Sequence, residues 1–290
     1  MTVRVEHIRT WSAGAPDVVR RRGVPYGLGA ALAAATLAAA IPTLLDRDLL
    51  GRDLLAGPEA MNGSARGTAL VMAAVAVPVL LLSMRWASRG SARAVPVWLG
   101  ATAYLLYNSV LLLFATPFNA AFLLYVLVLS LSLWTLVALL VHVDVWAFAE
   151  RVAPTVPARS VAAYVWVVAG LNALIWLRVI VPAVAQGDDS FLDGTGLPTN
   201  PVYVQDLAVW LPLAAVAAWW LWHRRPWGAL VTGGVLVLWV AESLGIAVDQ
   251  WTGSAADPAS PVASAGVVPV FAVLALVGLL PVIALLRRIG

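Results

Sequence analysis

Residues 200–227, NPVYVQDLAVWLPLAAVAAWWLWHRRPW, have the pattern of one complete membrane crossing in which both ends are marked. The stretch begins with Asn200 and Pro201, a helix-start signal, because Asn caps helices well and Pro is tolerated at the first helical position. An apolar run follows. Trp side chains and the basic segment 223–226 close it, as is typical of a membrane interface. Asp206 lies inside the apolar run, near its start. The stretch therefore predicts a transmembrane helix that carries one acid.

The composition of the whole chain extends this prediction from one segment to the class of protein. Of the 290 residues, 62% are hydrophobic and only 11% are charged, whereas soluble domains carry about 25% charged residues. A water-soluble fold of this size could not bury so much apolar surface, so the composition predicts an integral membrane protein. The chain has no Cys, which excludes disulfides, thiolate metal sites and thioether-linked haem. We expect no cofactor.

Eight apolar segments are each close to the length of about 20 residues that a membrane-crossing helix needs. They predict an all-α, polytopic bundle of eight transmembrane helices in a single domain, 25–288, after a cytoplasmic tail, 1–24. The basic run 20–22 could also belong to a secretory signal, but the apolar run after it is long enough to span. We place the eight crossings near residues 25–45, 67–87, 96–116, 120–143, 160–183, 203–223, 228–248 and 264–286.

The connections between the crossings carry further patterns. Residues 46–66 contain Leu pairs beside charges, and residues 145–156 mix Trp and Phe with charged residues, so both predict short helices at the membrane interface. Residues 116–119, TPFN, predict a tight turn between the third and fourth crossings. The connection 184–202 is acidic, and the connection 249–263 is rich in Ser, Ala and Pro. None of these segments is long enough to be a separate soluble domain.

The Arg residues, which account for all 18 basic side chains, predict the orientation of the bundle. With the N-terminus inside the cell, fourteen of them fall on the cytoplasmic side, three fall outside, in the 46–66 connection, and Arg178 lies within a crossing. Cytoplasmic loops of membrane proteins carry such an excess of basic residues. The distribution therefore predicts that both termini are cytoplasmic, and we expect a multi-pass protein of the plasma membrane.

Three ionisable residues, Arg178, Asp206 and Glu242, lie inside crossings, where a charged side chain costs several kcal/mol. At ~1.5 Å per residue, all three fall roughly 7–10 Å below the outer edge. If their helices are neighbours, Arg178 can face both carboxylates in an outward-side polar site for a small solute or ion. Alternatively, Arg178 extends to the lipid headgroups, Asp206 stabilises a helix start, or the charges form a structural ion pair.

Uncharged polar side chains form a second set of candidate ligand-binding residues. Tyr104, Tyr107 and Asn108 share one face of the third crossing, at i, i+3, i+4 spacing, and Asn172 lies in the fifth. Such groups commonly link helices by hydrogen bonds worth about 0.6 kcal/mol each. The other interpretation is that they line the ligand site or contact a lipid headgroup.

Motifs of the common enzyme classes are absent from the sequence. We find no Gly-rich phosphate loop, no His-Glu metal-binding helix motif and no Gly-x-Ser-x-Gly element. The basic residues mark the sides of the membrane and do not form a nucleic-acid surface. The leading hypothesis is a small-solute or ion-binding transport protein, whose partners are membrane lipids and its solute or ion. The alternatives are a non-catalytic scaffold or sensor subunit, and a lipid-modifying enzyme with Glu242 or Asp206 as general base.

Overall fold

The computed structural model of the chain describes residues 18–19, 23–45 and 54–290. Within these ranges the protein is all-α, and eight of its helices are long and apolar enough to cross a membrane. This confirms that the described chain is all-α and that it has eight candidate crossings. Most of the predicted tail, 1–24, and the charged part of the 46–66 connection lie outside the described residues.

The helices of the described ranges follow one another with mostly short connections. Their bounds are α1 (Val24–Leu44), α2 (Glu59–Ala87), α3 (Ala94–Phe114), α4 (Phe122–His142), the short α5 (Val145–Glu150), α6 (Ala158–Gln186), α7 (Pro201–Trp222), α8 (Pro226–Ala256) and α9 (Ala265–Leu286). The start of α7 is capped as its sequence predicted, because the Asn200 side chain accepts hydrogen bonds from the backbone N–H groups of Val202 and Tyr203.

Two helices extend well beyond the segments that hydropathy marks. α2 begins at Glu59 and not near residue 67, and α8 continues to Ala256, eight residues past the predicted end at 248. Hydropathy identifies only the apolar part of a helix, which can lie in hydrocarbon. The helical backbone hydrogen bonds continue beyond that part, through polar turns at either end. As a result, Asp249 lies within α8 and not in a connection.

α2 and α7 each contain a π-helical turn, Met72–Ala76 and Asp206–Trp210 respectively, and each turn ends two residues before a Pro. Pro has no N–H, and its ring clashes with the carbonyl four residues earlier; a π-turn widens the helix and relieves this conflict. In α7 the Leu211 N–H bonds to the carbonyl of Asp206, five residues back. The widened part of α7 therefore begins at the acid in its apolar run.

α8 is the central helix of the bundle and packs against α2, α3, α7 and α9. α1 packs against α2 and α4, and α4 packs against α3. α6 lies at the periphery, mainly against α7, and most of its surface is exposed. Because α3 and α7 both contact α8, polar side chains from these three helices can meet inside the bundle.

Glycines bring α2 and α8 close together. A Cβ added to Gly63 would lie 2.5 Å from the Thr252 carbonyl oxygen, and one added to Gly67 would lie 2.7 Å from the Cα of Asp249. The two glycines form a G-x-x-x-G pattern, which is typical of close helix packing in membranes. This packing fixes the part of α8 that carries Asp249 against the first half of α2.

The two ends of the bundle are built differently. At one end, named the cavity end, residues 55–65, 114–117 and 195–198 surround a cavity. At the other, named the terminal end, backbone hydrogen bonds join residue 144 to 18 and residue 153 to 288.

Candidate functional site

Glu242 of α8 forms the first contact of the candidate site. Its Oε2 accepts a hydrogen bond of 3.1 Å from the side-chain amide of Asn108 on α3. The same Asn108 nitrogen also donates to the backbone carbonyl of Tyr104, 3.1 Å away, which orients the amide. Asn108 is buried, and Glu242 is half-buried. Two of the sequence-predicted site residues therefore meet across the α3–α8 interface.

Asp206 is the second acid of the site, and groups from two other helices interact with it. Trp176 of α6 donates its indole N–H to Asp206 Oδ2 over 2.8 Å, and the Tyr107 hydroxyl of α3 also interacts with this carboxylate. Only 7% of Asp206 is exposed. Because Tyr107 and Asn108 are adjacent on α3, the two acids are bound by neighbouring residues of one helix.

The turn of α7 that carries Asp206 is held in place by the residue before it. Gln205 accepts a 3.1 Å hydrogen bond at Oε1 from the indole N–H of Trp210, and its amide nitrogen lies 3.5 Å from the Tyr107 carbonyl oxygen, to which it donates. Gln205 is buried. These bonds span the π-helical turn and tie it to α3, so the position of the acid is fixed from both sides.

A third acid, Asp249, extends the site along α8 toward the cavity end. It lies seven residues after Glu242, which is about 10.5 Å along the helix axis. Tyr104 of α3 stands between the two acids, because a Cβ added to Gly245 would lie only 2.9 Å from its hydroxyl oxygen. The Tyr104 hydroxyl and Asp249 Oδ1 are both buried, and within the described part of the chain neither has a hydrogen-bond partner.

The structure does not bring Arg178 and Asn172 into this cluster. Arg178 is exposed, and it is not among the groups that act on Asp206 or Glu242. It lies two residues after Trp176, which is about 200° around α6. Because the Trp176 side chain points toward α7, the Arg178 side chain points away from α7. Asn172 lies one turn before Trp176 on the same face, is half-buried, and acts on neither carboxylate.

The acid cluster, defined as Glu242, Asp206 and Asp249, has no arginine among the described groups that act on it. Glu242 and Asp206 accept hydrogen bonds from an amide and an indole, and a phenol also interacts with Asp206; all three groups are neutral. Neutral donors satisfy oxygen lone pairs, but they do not compensate a negative charge in apolar surroundings. The described residues include no group of three or more His, Cys, Asp or Glu that could hold a metal ion. Chemically, the arrangement suits a proton or a small monovalent cation.

The acidic connection before α7 is separate from this cluster. Asp188 Oδ1 accepts a hydrogen bond of 2.9 Å from the backbone N–H of Ser190, and this bond lowers the pKa of the exposed Asp188 carboxyl below its usual value. The geometry is that of an Asx turn, in which the side chain shapes its own loop. Asp188 therefore has a local structural role.

A cavity of about 220 Å³ opens at the cavity end, between the start of α2, the end of α3 and the 195–198 turn. Its lining is mainly apolar. The Asn62 amide in its wall bonds to the backbone of Leu55 and Gly57 and so holds the loop in place. Phe114, another lining residue, is six residues, or about 9 Å, along α3 from Asn108. The cavity thus lies on the side toward which Asp249 extends.

Sequence reasoning missed Trp176 and Gln205, and it placed Asp249 in a connection. The sequence contained a signal for Asp249 and for Trp176. Asp249 shares a helical stripe with Glu242, and Trp176 lies one turn after Asn172 on α6. Gln205 had no comparable signal, since its partners Trp210 and the Tyr107 carbonyl are set by the π-helical turn and by a second helix.

No protein-family model, curated protein or solved structure matches this chain. Its function is therefore argued from the acid cluster and the helices that hold it.

Proposed function

We propose that this protein binds a small cation within the membrane and carries it across, as a transport protein of the plasma membrane. One observation supports this most strongly: the carboxylates of Glu242 and Asp206 are held by neutral groups, and no arginine of the described residues acts on them. An ionised carboxylate in hydrocarbon costs several kcal/mol unless it has a charge partner. A cation that binds and later leaves supplies this charge, and acids inside membranes commonly mark ion pathways.

Within the cluster, we assign cation binding to Glu242. Glu242 is half-buried and so keeps an accessible surface, whereas Asp206 is almost completely covered. Asp206 adds negative potential from α7, and Tyr107 and Asn108 connect the two acids through α3. The cation would thus be bound where α3, α7 and α8 meet.

The distribution of arginine supports an orientation with the terminal end in the cytoplasm. Most Arg residues of the described chain lie in the helix ends and connections at residues 85–93, 151–159, 224–225 and 287–288. Cytoplasmic loops carry this excess. In this orientation both termini are inside the cell, and the cavity end and Asp249 face outward.

The exposure of Arg178 weakens the scaffold alternative. A purely structural role for the intramembrane charges would be supported by an ion pair between Arg178 and Glu242, which would need no ligand. In the structure Arg178 is exposed, and the acid is bound by Asn108 instead.

The test is the thermal stability of the purified protein in nanodiscs, measured with NaCl, KCl, ammonium chloride and choline chloride at constant pH, and then across a pH series. A ligand that binds only the folded state stabilises it by about 2.7 kcal/mol at a hundredfold excess over its Kd. We expect the wild-type protein to respond to one of these cations, the proton included, and Glu242→Gln to lose that response.

Asp189→Asn is the matched control, because it removes a carboxylate from an exposed position in the connection before α7. It should respond as the wild type does. Identical responses of the wild type and Glu242→Gln to every cation and at every pH would overturn the proposal.

A further inference from the structure

We infer that Asp249, Tyr104 and Glu242 form a proton path that leads from the cavity end of α8 to the acid in the middle of the bundle. The inference rests on the proposed function, because it identifies the cation that Glu242 receives as a proton. It also gives Asp249 and the Tyr104 hydroxyl a role in the access of that proton.

The spacing along α8 places a hydroxyl between two carboxyl groups. Glu242, Gly245 and Asp249 lie on one face of the helix, about 4.5 Å and 6 Å apart along its axis. The Tyr104 hydroxyl stands against Gly245, 2.9 Å from where a Cβ would be. A larger residue at 245 would occupy the place of the hydroxyl, so the glycine keeps the space between the two acids open to it.

The Tyr104 hydroxyl is an independent sign of a transient partner. Tyr104 is 0% exposed, and its hydroxyl has no hydrogen-bond partner within the described chain. A buried hydroxyl without a partner is unfavourable, so its presence between two acids favours a role in which a proton passes through it. Asp249 Oδ1 is also buried without a partner, although its carboxylate interacts with the Gln250 side chain.

The arrangement suits a proton better than a divalent metal cation. Metal cations such as Ca²⁺ and Mg²⁺ take about six or more oxygen ligands around one point. In the described chain no three acids converge in this way, and Glu242 and Asp249 are about 10.5 Å apart along the helix axis. Single groups in a line can pass a proton from one to the next, and chains of acids in pumps and transporters do so.

The transfer balances without any further reactant. Protonated Asp249 gives its proton to the hydroxyl oxygen of Tyr104, and the original hydroxyl proton of Tyr104 passes to the Glu242 carboxylate. One O–H bond breaks at Asp249 and one forms at Glu242, while Tyr104 ends as the neutral phenol. A bridging water can span either gap at little cost.

Among the residues that the structure describes, few other ionisable groups face this path. Tyr107 from α3 and Asp206 from α7 interact with the deeper acid. Arg66 lies on α2, which packs against α8, and Arg178 of α6 is exposed. The α-helical part of α9, Val268–Leu286, contains no ionisable residue.

Infrared spectroscopy of the full chain in nanodiscs tests the path directly. A protonated carboxyl has a C=O stretch distinct from that of a carboxylate, and its band shifts when the proton exchanges in D₂O. The band is assigned to Glu242 by comparing pH titrations of two proteins, because it is present in the wild type and absent from Glu242→Gln. In Asp249→Asn and in Tyr104→Phe we expect exchange at this band to slow by about tenfold or more, since positioned proton-transfer groups contribute at least that much.

Two further variants complete the experiment. Gly245→Ala places a methyl group where the hydroxyl stands and should slow exchange as well, whereas Asp189→Asn should exchange at the wild-type rate. Wild-type exchange in all three path variants would overturn the path, and so would the absence of a Glu242 band at every pH. The proposed function fails by a different readout, an unchanged cation response in Glu242→Gln, so the two failures are distinguishable.

Discussion

Asn108 is the residue through which α3 holds Glu242, and the strength of this contact can be measured. Its amide donates to the Glu242 carboxylate over 3.1 Å inside the bundle. We expect a double-mutant cycle with Asn108→Leu and Glu242→Leu to give a coupling free energy of about 0.6 to 1.7 kcal/mol, the range known for hydrogen bonds between membrane helices. Unfolding of the four proteins in SDS provides the measurement. Additive single-variant effects, within about 0.5 kcal/mol, would show that the contact does not form.

Trp176 binds Asp206 by a single donor, so Trp176→Phe removes the N–H and keeps an aromatic ring. Because the indole donates to a carboxylate over 2.8 Å, we expect a loss of about 1.5–3 kcal/mol in the free energy of unfolding. The matched control is Trp134→Phe on α4, where the side chain is 56% exposed. Equal stabilities of the two variants would contradict the bond to Asp206.

Residue positions along a helix were predictable from the sequence, but their directions around it were not. Counting from the helix ends placed Asp206 and Glu242 inside crossings, and the i, i+3, i+4 spacing placed Tyr104, Tyr107 and Asn108 on one face. Arg178 was assigned to the site by depth alone. A helix turns by about 100° per residue, and hydropathy is high all around α6, so nothing in the sequence showed which face meets α7.

At the scale of helices, the close packing of α2 on α8 depends on Gly67. A Cβ there would meet the Asp249 Cα at 2.7 Å and the Thr252 hydroxyl. We expect Gly67→Ala to destabilise the protein by about 1–3 kcal/mol through overpacking. Gly170→Ala on α6 is the control, since its Cβ meets nothing within 4 Å, and it should stabilise by about 0.5–1 kcal/mol. SDS unfolding measures both, and a neutral Gly67→Ala would contradict this packing.

The π-helical turns show what local sequence can and cannot predict about an element. Each of them is followed by a Pro, and a Pro inside an apolar run signals a disturbed helix. Whether the helix then kinks, ends or widens depends on the hydrogen bonds that its side chains and neighbouring helices make around the Pro. In α7 the bonds of Gln205 to Trp210 and to the Tyr107 carbonyl support the widened form, and partners on another helix cannot be identified from one sequence.

At the scale of the whole molecule, the absence of Cys allows a clean test of orientation, since introduced thiols are the only ones in the chain. Asp189 and Ser160 are exposed and lie beside opposite ends of α6. We expect Asp189→Cys to react with a membrane-impermeant maleimide on intact cells, and Ser160→Cys to react only after permeabilisation. The reverse pattern would place the Arg-rich terminal end outside and contradict the proposed orientation.

The central claim is that the acid cluster serves a cation that crosses the membrane, and movement of that cation is its most direct test. Proteoliposomes with an inside-negative potential, a trapped pH indicator and a sodium indicator would be compared for the wild type, Glu242→Gln and Asp189→Asn. We expect cation uptake by the wild type and by Asp189→Asn, and none above the level of empty vesicles by Glu242→Gln. Equal uptake by the wild type and Glu242→Gln, or uptake by neither at any pH, would contradict the claim.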